Sequence, residues 1–324
     1  SRNKAGGDST GIIELEKSGA GKLTLQGGNI NYGLSAAANN STNPSINNST
    51  FVNGGTLALV NTPNFGSNIQ NNSNLEFGTT SDWTFARSVS GTGTVSKTGP
   101  NVTAFALDNT YQGSTTIENG TLRLTYQLLT EGMGSANGSQ TVFKRFLNRL
   151  PEPGSIRVTD GTVTAFEGTP KNGLTVTYNS STREVIATYS AAPPSGRTIN
   201  AQYVVGGAGT GSLSATSAIN ILTGTLHLVN DQNNSVIDSA VGGIAGRIND
   251  AAAINSNGGK IDFDTKKINS KTYAETIGTL NLLNGRTNVT ITTGTIADTE
   301  DTGKGSSATL TFNNLTRQAK ATVT

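Results

Sequence analysis

The sequence predicts an all-β chain wound as a right-handed parallel β-helix, a solenoid, and three observations carry that reading. Short runs of alternating apolar and polar residues recur behind glycine turns: Asn53-Gly-Gly-Thr-Leu-Ala-Leu59, Asn119-Gly-Thr-Leu-Arg-Leu124, Thr223-Gly-Thr-Leu-His-Leu228, Gly258-Gly-Lys-Ile-Asp-Phe263 and Ile277-Gly-Thr-Leu-Asn-Leu282. Alternation turns one face of each run inward and the other outward, while Gly and Asn accept the backbone geometry of sharp corners. The spacing between inward leucine-type positions is the second observation: Leu57 to Leu75 is 18, Leu75 to Val95 is 20, Val95 to Leu122 is 27, and Ile261 to Leu280 and Ile291 to Leu310 are each 19. A coil of three short strands with an occasional loop gives such a period. Third, the chain is poor in apolar mass, 33% hydrophobic and 14% charged with 40 glycines in 324 residues, which suits a core one side chain deep. So low a charge argues against ordinary disorder. A sandwich would show longer strands, hairpin turns every ~8–12 residues and more aromatic rings.

The elements follow in chain order. Gly11-Ile-Ile-Glu-Leu15 is a first run, and Ser18-Gly-Ala-Gly-Lys-Leu-Thr-Leu25 repeats the turn-then-strand pattern. Residues 29–48 are a low-complexity Asn/Ser/Ala stretch that reads as a loop. Ser90-Gly-Thr-Gly-Thr-Val95 and Ala208-Gly-Thr-Gly-Ser-Leu213 form a second type of rung. Residues 1–125 are therefore read as β-helix and 201–324 as its continuation. Between them, 126–200 depart from the pattern as an irregular excursion. There the apolar spacing of Val142, Phe143, Phe146, Leu147 and Leu150 predicts a short helix over Gln140–Leu150, ended by Pro151 and Pro153. Residues 173–190 predict an antiparallel hairpin turning at Asn179–Thr182, and Ala191-Ala-Pro-Pro-Ser-Gly196 a linker. The predicted inward ladder is Leu23, Leu57, Leu75, Val95, Leu122, Leu226, Ile261, Leu280 and Leu310. At a rung spacing of about 4.8 Å, roughly 12 to 14 coils would extend on the order of 60 Å.

Residues 90–124, from Ser90-Gly-Thr-Gly-Thr-Val-Ser-Lys-Thr-Gly99 through Asp108-Asn-Thr-Tyr-Gln-Gly-Ser-Thr-Thr-Ile117 to Leu124, resemble the autotransporter-associated β-strand repeat. That repeat runs as a Gly-Thr turn, a strand, an Asn-Thr-Tyr-x-Gly corner, a Thr-Thr-Ile strand and Asn-Gly-Thr-Leu. The match is partial at 18–33 and 49–59, and half-motifs such as Leu310-Thr-Phe-Asn-Asn-Leu-Thr-Arg317 occur elsewhere. The resemblance covers about a third of the chain and implies a β-helical passenger of a secreted or surface-displayed bacterial protein. The repeats are scaffolds, so it carries over no catalytic residue. Residue 1 is Ser and the chain stops within Ala321-Thr-Val-Thr324, so a mature or truncated piece of something longer is expected.

Charge and composition exclude several function classes. The formal net charge of +2 gives no electrostatic case for nucleic acid or an anionic membrane, and no apolar run approaches the ~18 residues of a membrane helix. Cysteine is absent, which excludes a disulfide framework and Cys-ligated metal. The single histidine, His227, points outward from its rung by alternation and reads as a surface residue. Gly6-Gly-Asp-Ser-Thr10 lacks the upstream histidine of a serine-protease nucleophile loop. Gly206-Gly-Ala-Gly-Thr-Gly211 reads as a turn, since no helix follows to make a phosphate cradle.

Carboxylates offer the sharpest alternative. Asp262 and Asp264, with Lys260 and Lys266, share one strand face, the spacing an acid/base pair or a calcium site needs; Asp298, Glu300 and Asp301 form a second group. Strand-face carboxylates beside lysines are ordinarily solvated, and no catalytic, cofactor or metal residue is assigned. The basic cluster Lys144, Arg145 and Arg149 reads as a solvated face. Asn-x-Ser/Thr triplets at Asn40, Asn48, Asn101, Asn119, Asn288 and Asn314 arise from composition. Asn and Thr at equivalent rungs are expected to stack as hydrogen-bonded ladders.

The expectation is thus a non-enzymatic structural or adhesive protein of the extracellular bacterial surface, with no cofactor and no nucleic acid. Its expected partners are other copies of itself in a fibre or end-to-end filament, and a host or matrix surface, including glycan. Leu174, Val176, Val185 and Ala187 of the hairpin are the strand-addition candidates. The rival is a carbohydrate-active β-helix, a polysaccharide lyase or a tailspike-like glycan binder.

Overall fold

The computed structural model describes residues 14–28, 30, 48–125, 128–148, 151, 155–204, 211–230, 246–265, 272–293 and 307–324. Among them every regular element is a strand. The chain divides into two compact units: one joins residues 1–125, 211–231 and 235–324, and the other is the intervening 126–210 with 232–234.

The first unit is a parallel β-helix. Nine strands stack in sequence order on its largest face, from Lys22–Gln26, Thr56–Val60, Asn74–Phe77, Thr94–Lys97 and Thr115–Ile117 through Ala218–Ile221, Ala253–Ser256 and Thr272–Leu282 to Ser307–Arg317. All are parallel and in register, so Leu23, Leu57, Leu75, Val95, Thr115, Ile219, Ile254, Leu280 and Leu315 form one column. A seven-stranded parallel face runs from Trp83–Phe85 to Ala321–Val323, and on it Leu122, Leu226 and Ile261 stand in register. A third face holds Leu15–Lys17, Asn48–Val52, Asn68–Asn71 and Val89–Ser90, with the short pair Asp108–Asn109 and Ser212–Leu213 beyond them.

Burial explains why these residues make these strands. Leu57, Leu59, Ile69, Phe77, Leu122, Leu226 and Phe263 are almost wholly excluded from solvent. Each is worth roughly 1.5–3 kcal/mol over an exposed position. Corners are set by glycine: Gly120, at φ 65°, would place a Cβ 2.4 Å from the carbonyl oxygen of Gly99 in the coil below.

Two numerical expectations are corrected. Among the described residues the largest face stacks nine strands, about 40 Å along its axis, where 12 to 14 coils were expected. The predicted ladder is not one column: Leu23, Leu57, Leu75, Val95 and Leu280 lie on the nine-stranded face, and Leu122, Leu226 and Ile261 on the seven-stranded face. A Gly-Thr-Leu turn opens strands on either face, so spacing alone does not tell them apart. Leu310 pairs with Glu275, and Leu315 takes the place opposite Leu280.

The second unit is antiparallel. One sheet orders Leu128–Ser135, Thr198–Val204, Arg157–Thr159 and Thr164–Phe166; another orders Val142–Phe146, Glu184–Tyr189 and Leu174–Asn179. Phe143, Leu147, Ile156, Val158, Leu174, Val176, Val185, Ile199 and Tyr203 fill its own core. The hairpin expected over 173–190 is present, turning between Asn179 and Glu184.

The expected helix is not: Val142–Phe146 is a strand paired with Glu184–Tyr189. Its β-branched and aromatic residues fit a pleated surface, and Phe143 is buried while Val142 and Phe146 face solvent, which is period two rather than 3.6. Nor is the segment irregular or closed at residue 200. Thr198–Val204 is an inner strand of the unit, and 191–196 connects two of its strands, with Gly196 N–H donating to the Ala136 carbonyl.

The solenoid ignores this unit in its pairing. Thr115–Ile117 pairs directly with Ala218–Ile221, and Thr121–Leu124 with Thr225–Asn230. One coil earlier, Ala106 and Leu107 connect Phe105 to Asp108. Because Phe105 pairs with Leu124 and Asp108 with Ser212, the two places between are held by Thr125 and Gly211, which are hydrogen-bonded to each other. Fusing Thr125 directly to Gly211 is therefore expected to leave the solenoid folded, with β-type circular dichroism and a cooperative thermal transition. Loss of that transition would show that the inserted unit is needed for the coil.

Within the inserted unit, burial alone would raise the Asp160 carboxyl, but backbone N–H donors from Val163 and Thr162 and the Arg197 guanidinium at 3.2 Å hold it below the usual carboxylate range. A carboxyl depressed in the folded state adds stability above its unfolded value and loses it as pH falls through the folded value. Amide exchange of Arg157–Thr159 and Thr164–Phe166 should accordingly stay level above about pH 4.5 and accelerate below about pH 4 relative to the exposed-peptide rate. Asp160→Asn should flatten that dependence.

Candidate functional site

The chemistry-bearing groups of the sequence gather on the outer side of the seven-stranded face. The register sets Arg123 beside His227 and His227 beside Asp262, one per coil, with Asp264 two residues further along its strand. Alternation does turn these side chains outward, between the buried Leu226, Leu228, Ile261 and Phe263. Arg123 Nε donates to His227 Nδ1 at 3.3 Å, and His227 Nε2 lies 2.8 Å from Asp264 Oδ2. Asp262 Oδ2 is 2.9 Å from Lys260 Nζ.

This is a cross-strand charge ladder rather than a free histidine. His227, expected as a plain surface residue, is half-buried with its side chain 16% exposed, held between a cation and a carboxylate. Each aspartate has a cationic or histidine partner, while Asp262 Oδ1 is buried without a hydrogen bond. No group of three His, Cys, Asp or Glu among the described residues can hold a metal ion. Lys266, Asp298, Glu300, Asp301, Arg149, Asn40 and residues 6–10 and 206–210 lie outside the described residues.

A glycan groove would also need an exposed ring. Trp83, the one tryptophan, points inward at 6% exposure and packs against Phe77 and Phe85 at ring distances of 5.7 and 5.6 Å. The signal was present in its alternation with Thr84 and Phe85.

The opposite polar array is the amide ladder expected from composition. On the nine-stranded face Thr316 donates to Asn281 at 2.6 Å, Asn281 to Asn255 at 2.8 Å, Asn255 to Asn220 at 2.9 Å and Asn220 to Thr116 at 3.3 Å. Side chains thereby tie five coils along the axis in addition to the backbone pairing.

In the inserted unit the strand-addition candidates divide between an edge strand, Leu174–Asn179, and the central strand beside it. Leu174, Val176, Val185 and Ala187 are fully buried, and Glu184–Tyr189, which carries Val185 and Ala187, is the central strand of its sheet. Val142–Phe146 fills the edge that an isolated hairpin would leave open. The basic cluster is likewise engaged: Lys144 is 3.8 Å from Glu184 and Arg145 2.9 Å from Glu131. Glu131, which sequence reasoning missed, also accepts from the Asn148 N–H and the Tyr203 hydroxyl and is a buried structural carboxylate. Phe146 is 62% exposed and Val142 38%.

No curated protein and no solved structure matches the chain. Residues 15–33 and 95–124 match the family described as Passenger-associated-transport-repeat. The described residues of those two stretches occupy different phases of the coil: the first passes from the four-stranded to the nine-stranded face, the second from the nine-stranded through the seven-stranded face and the two-stranded pair back to the nine-stranded, ending on the seven-stranded. The chain thus carries the passenger-associated transport repeat in two stretches, each built into the wall of a parallel β-helix.

Proposed function

We propose that this chain is a β-helical passenger segment of a secreted or surface-displayed bacterial protein, with a structural and adhesive rather than a catalytic role. The observation that carries the reading is the use of outward polar groups. The charge ladder Arg123–His227–Asp264 and the amide ladder Thr116–Asn220–Asn255–Asn281–Thr316 join coil to coil instead of converging on a reaction centre. The transport-repeat stretches add the expectation of export.

Self-association is supported by an edge strand. Ser307–Arg317 is an edge of the nine-stranded face, and Leu315 on it is 54% exposed. An edge strand with an exposed apolar side chain is a template for a further strand. Extracellular glycan or matrix is the other partner class. One observation favours the carbohydrate-active rival, the buried and unpartnered Asp262 Oδ1.

Incubation with bacterial and plant polysaccharides should release no new reducing or unsaturated ends, and electron micrographs of the purified chain should show concentration-dependent end-to-end particles. Leu315→Asp should abolish those particles by placing a charge at the pairing edge. Release of sugar ends that disappears in Asp262→Asn would replace this reading with the enzymatic one.

A further inference from the structure

Two lysines stand at the same place in the two transport-repeat stretches, in Glu16-Lys17-Ser18-Gly19 and Ser96-Lys97-Thr98-Gly99. Both are inward-facing and buried, at 7% and 1% exposure, in a core otherwise almost free of cations. Lys97 occupies an apolar column between Phe77 and Ile117, and Lys17 stands beside Val52. A buried ammonium is costly unless its donors are met. Here carbonyl oxygens meet them.

Lys17 Nζ donates to Ser18 O at 3.0 Å, Gly19 O at 2.7 Å and Gly54 O at 2.8 Å, one carbonyl for each N–H. Lys97 Nζ donates to Gly99 O, and to Asn119 O at 3.3 Å. In both cases one set of carbonyls belongs to the lysine's own turn and another to the turn of the next coil, Asn53-Gly54-Gly55 or Asn119-Gly120.

The next turn answers in kind. Asn53 N–H and Gly54 N–H donate to the Lys17 carbonyl at 2.8 and 3.2 Å, and Glu118 N–H and Asn119 N–H to the Lys97 carbonyl at 2.9 and 3.4 Å. The same reciprocal pattern occurs at two different corners, four-stranded to nine-stranded and nine-stranded to seven-stranded. The backbone half recurs at the Ser256 corner, where Leu283 and Asn284 N–H donate to one carbonyl, so the carbonyl cage around an ammonium is what Lys-Ser/Thr-Gly adds, and it is not confined to one face.

We propose that Lys-Ser/Thr-Gly in these stretches is an inter-coil latch: the ammonium binds a cage of turn carbonyls from two successive coils and dictates where the next corner lands. The cage is a binding site for a primary ammonium, filled in the native chain by its own side chain. Recognition needs N–H donors as well as positive charge, because the lining groups are directional carbonyl acceptors. Burial pulls the Lys97 ammonium down to about 8, against Asp82, so it still donates at neutral pH.

The test uses the full chain at neutral pH with four variants: Lys97→Ala, Lys97→Met, Lys17→Ala and, as control, the exposed Lys320→Ala. Amide exchange at Asn53, Gly54, Glu118 and Asn119 is read against the whole-protein thermal transition. Lys97→Ala is expected to speed exchange of Glu118 and Asn119 by about tenfold. Lys97→Met should do likewise, although it keeps the apolar stem, and Lys320→Ala should change neither turn. Added n-propylammonium, which replaces the atoms removed in Lys97→Ala, should restore protection, whereas tetramethylammonium, with the same charge and no N–H donor, should not. If Lys97→Ala does not fold, Lys17→Ala reads the same effect at Asn53 and Gly54 while later coils remain intact. Native-like protection in Lys97→Met and Lys17→Ala, or equal rescue by both cations, would overturn the latch.

Discussion

Everything in the solenoid depends on one requirement: each short strand must hand its axially directed backbone donors and acceptors to the coil above and the coil below, at a fixed spacing of about 4.8 Å. Most strands of the coil have two to five residues and cannot hold themselves, so pairing has to be parallel, in register and repeated at every coil. That requirement decides which side chains are tolerated inside. Leucine, isoleucine and phenylalanine stack on their own kind in successive coils. Polar residues enter the core where a neighbouring coil or turn completes their hydrogen bonds, as Thr79 does with Thr103, Tyr111 and Thr216 with Thr115, and Ser256 with Thr287. Asn109 does so with the Val89 N–H and the Ser212 carbonyl.

The same requirement explains how a complete antiparallel unit can be inserted without disturbing the winding. Closing a long loop costs only slightly more than closing a short one, provided its ends already lie where two successive residues would. Thr125 and Gly211 meet that condition, and Gly211 has no alternative there: a Cβ would lie 1.9 Å from the Phe105 carbonyl oxygen. Register is carried across the insertion by Leu122–Leu226 and Ile117–Ile221, so the coil reads Thr121–Leu124 and Thr225–Asn230 as neighbours although about a hundred residues separate them.

Much of this was legible in the sequence, because alternation and glycine turns are local. Leu122 and Leu124 against Thr121 and Arg123 announce an inward and an outward face without any knowledge of partners. What is decided by partners was not legible. Gly-Thr-Leu opens Thr56–Val60 on one face and Thr121–Leu124 on another, and only the number of corners already turned distinguishes them. Val142 to Phe146 has spacing that suits a helix as well as a strand, and the choice fell to Glu184–Tyr189 lying alongside. At the candidate site, the outward placement of His227, Asp262 and Asp264 followed from alternation. Their mutual pairing did not, since His227 and Asp264 meet only because two coils, and the sequence between them, fall into one register. The corner lysines were hidden for a related reason: Lys17 and Lys97 look like surface residues until the next coil's turn supplies the carbonyls that surround them.

A surface whose polar groups are consumed in holding neighbours together differs chemically from an active-site wall. In an active site, charged groups converge on an open position and are left incompletely satisfied so that a substrate can complete them. Along the nine-stranded face each carboxamide of the ladder donates to the coil before it and accepts from the coil after it, which gives the row one direction and no point of convergence. On the seven-stranded face the cation, imidazole and carboxylate alternate along the axis in the same manner. Axial pairing of this kind strengthens with each added coil, because every new rung satisfies groups left open by the last. Length is therefore the property that such side chains favour.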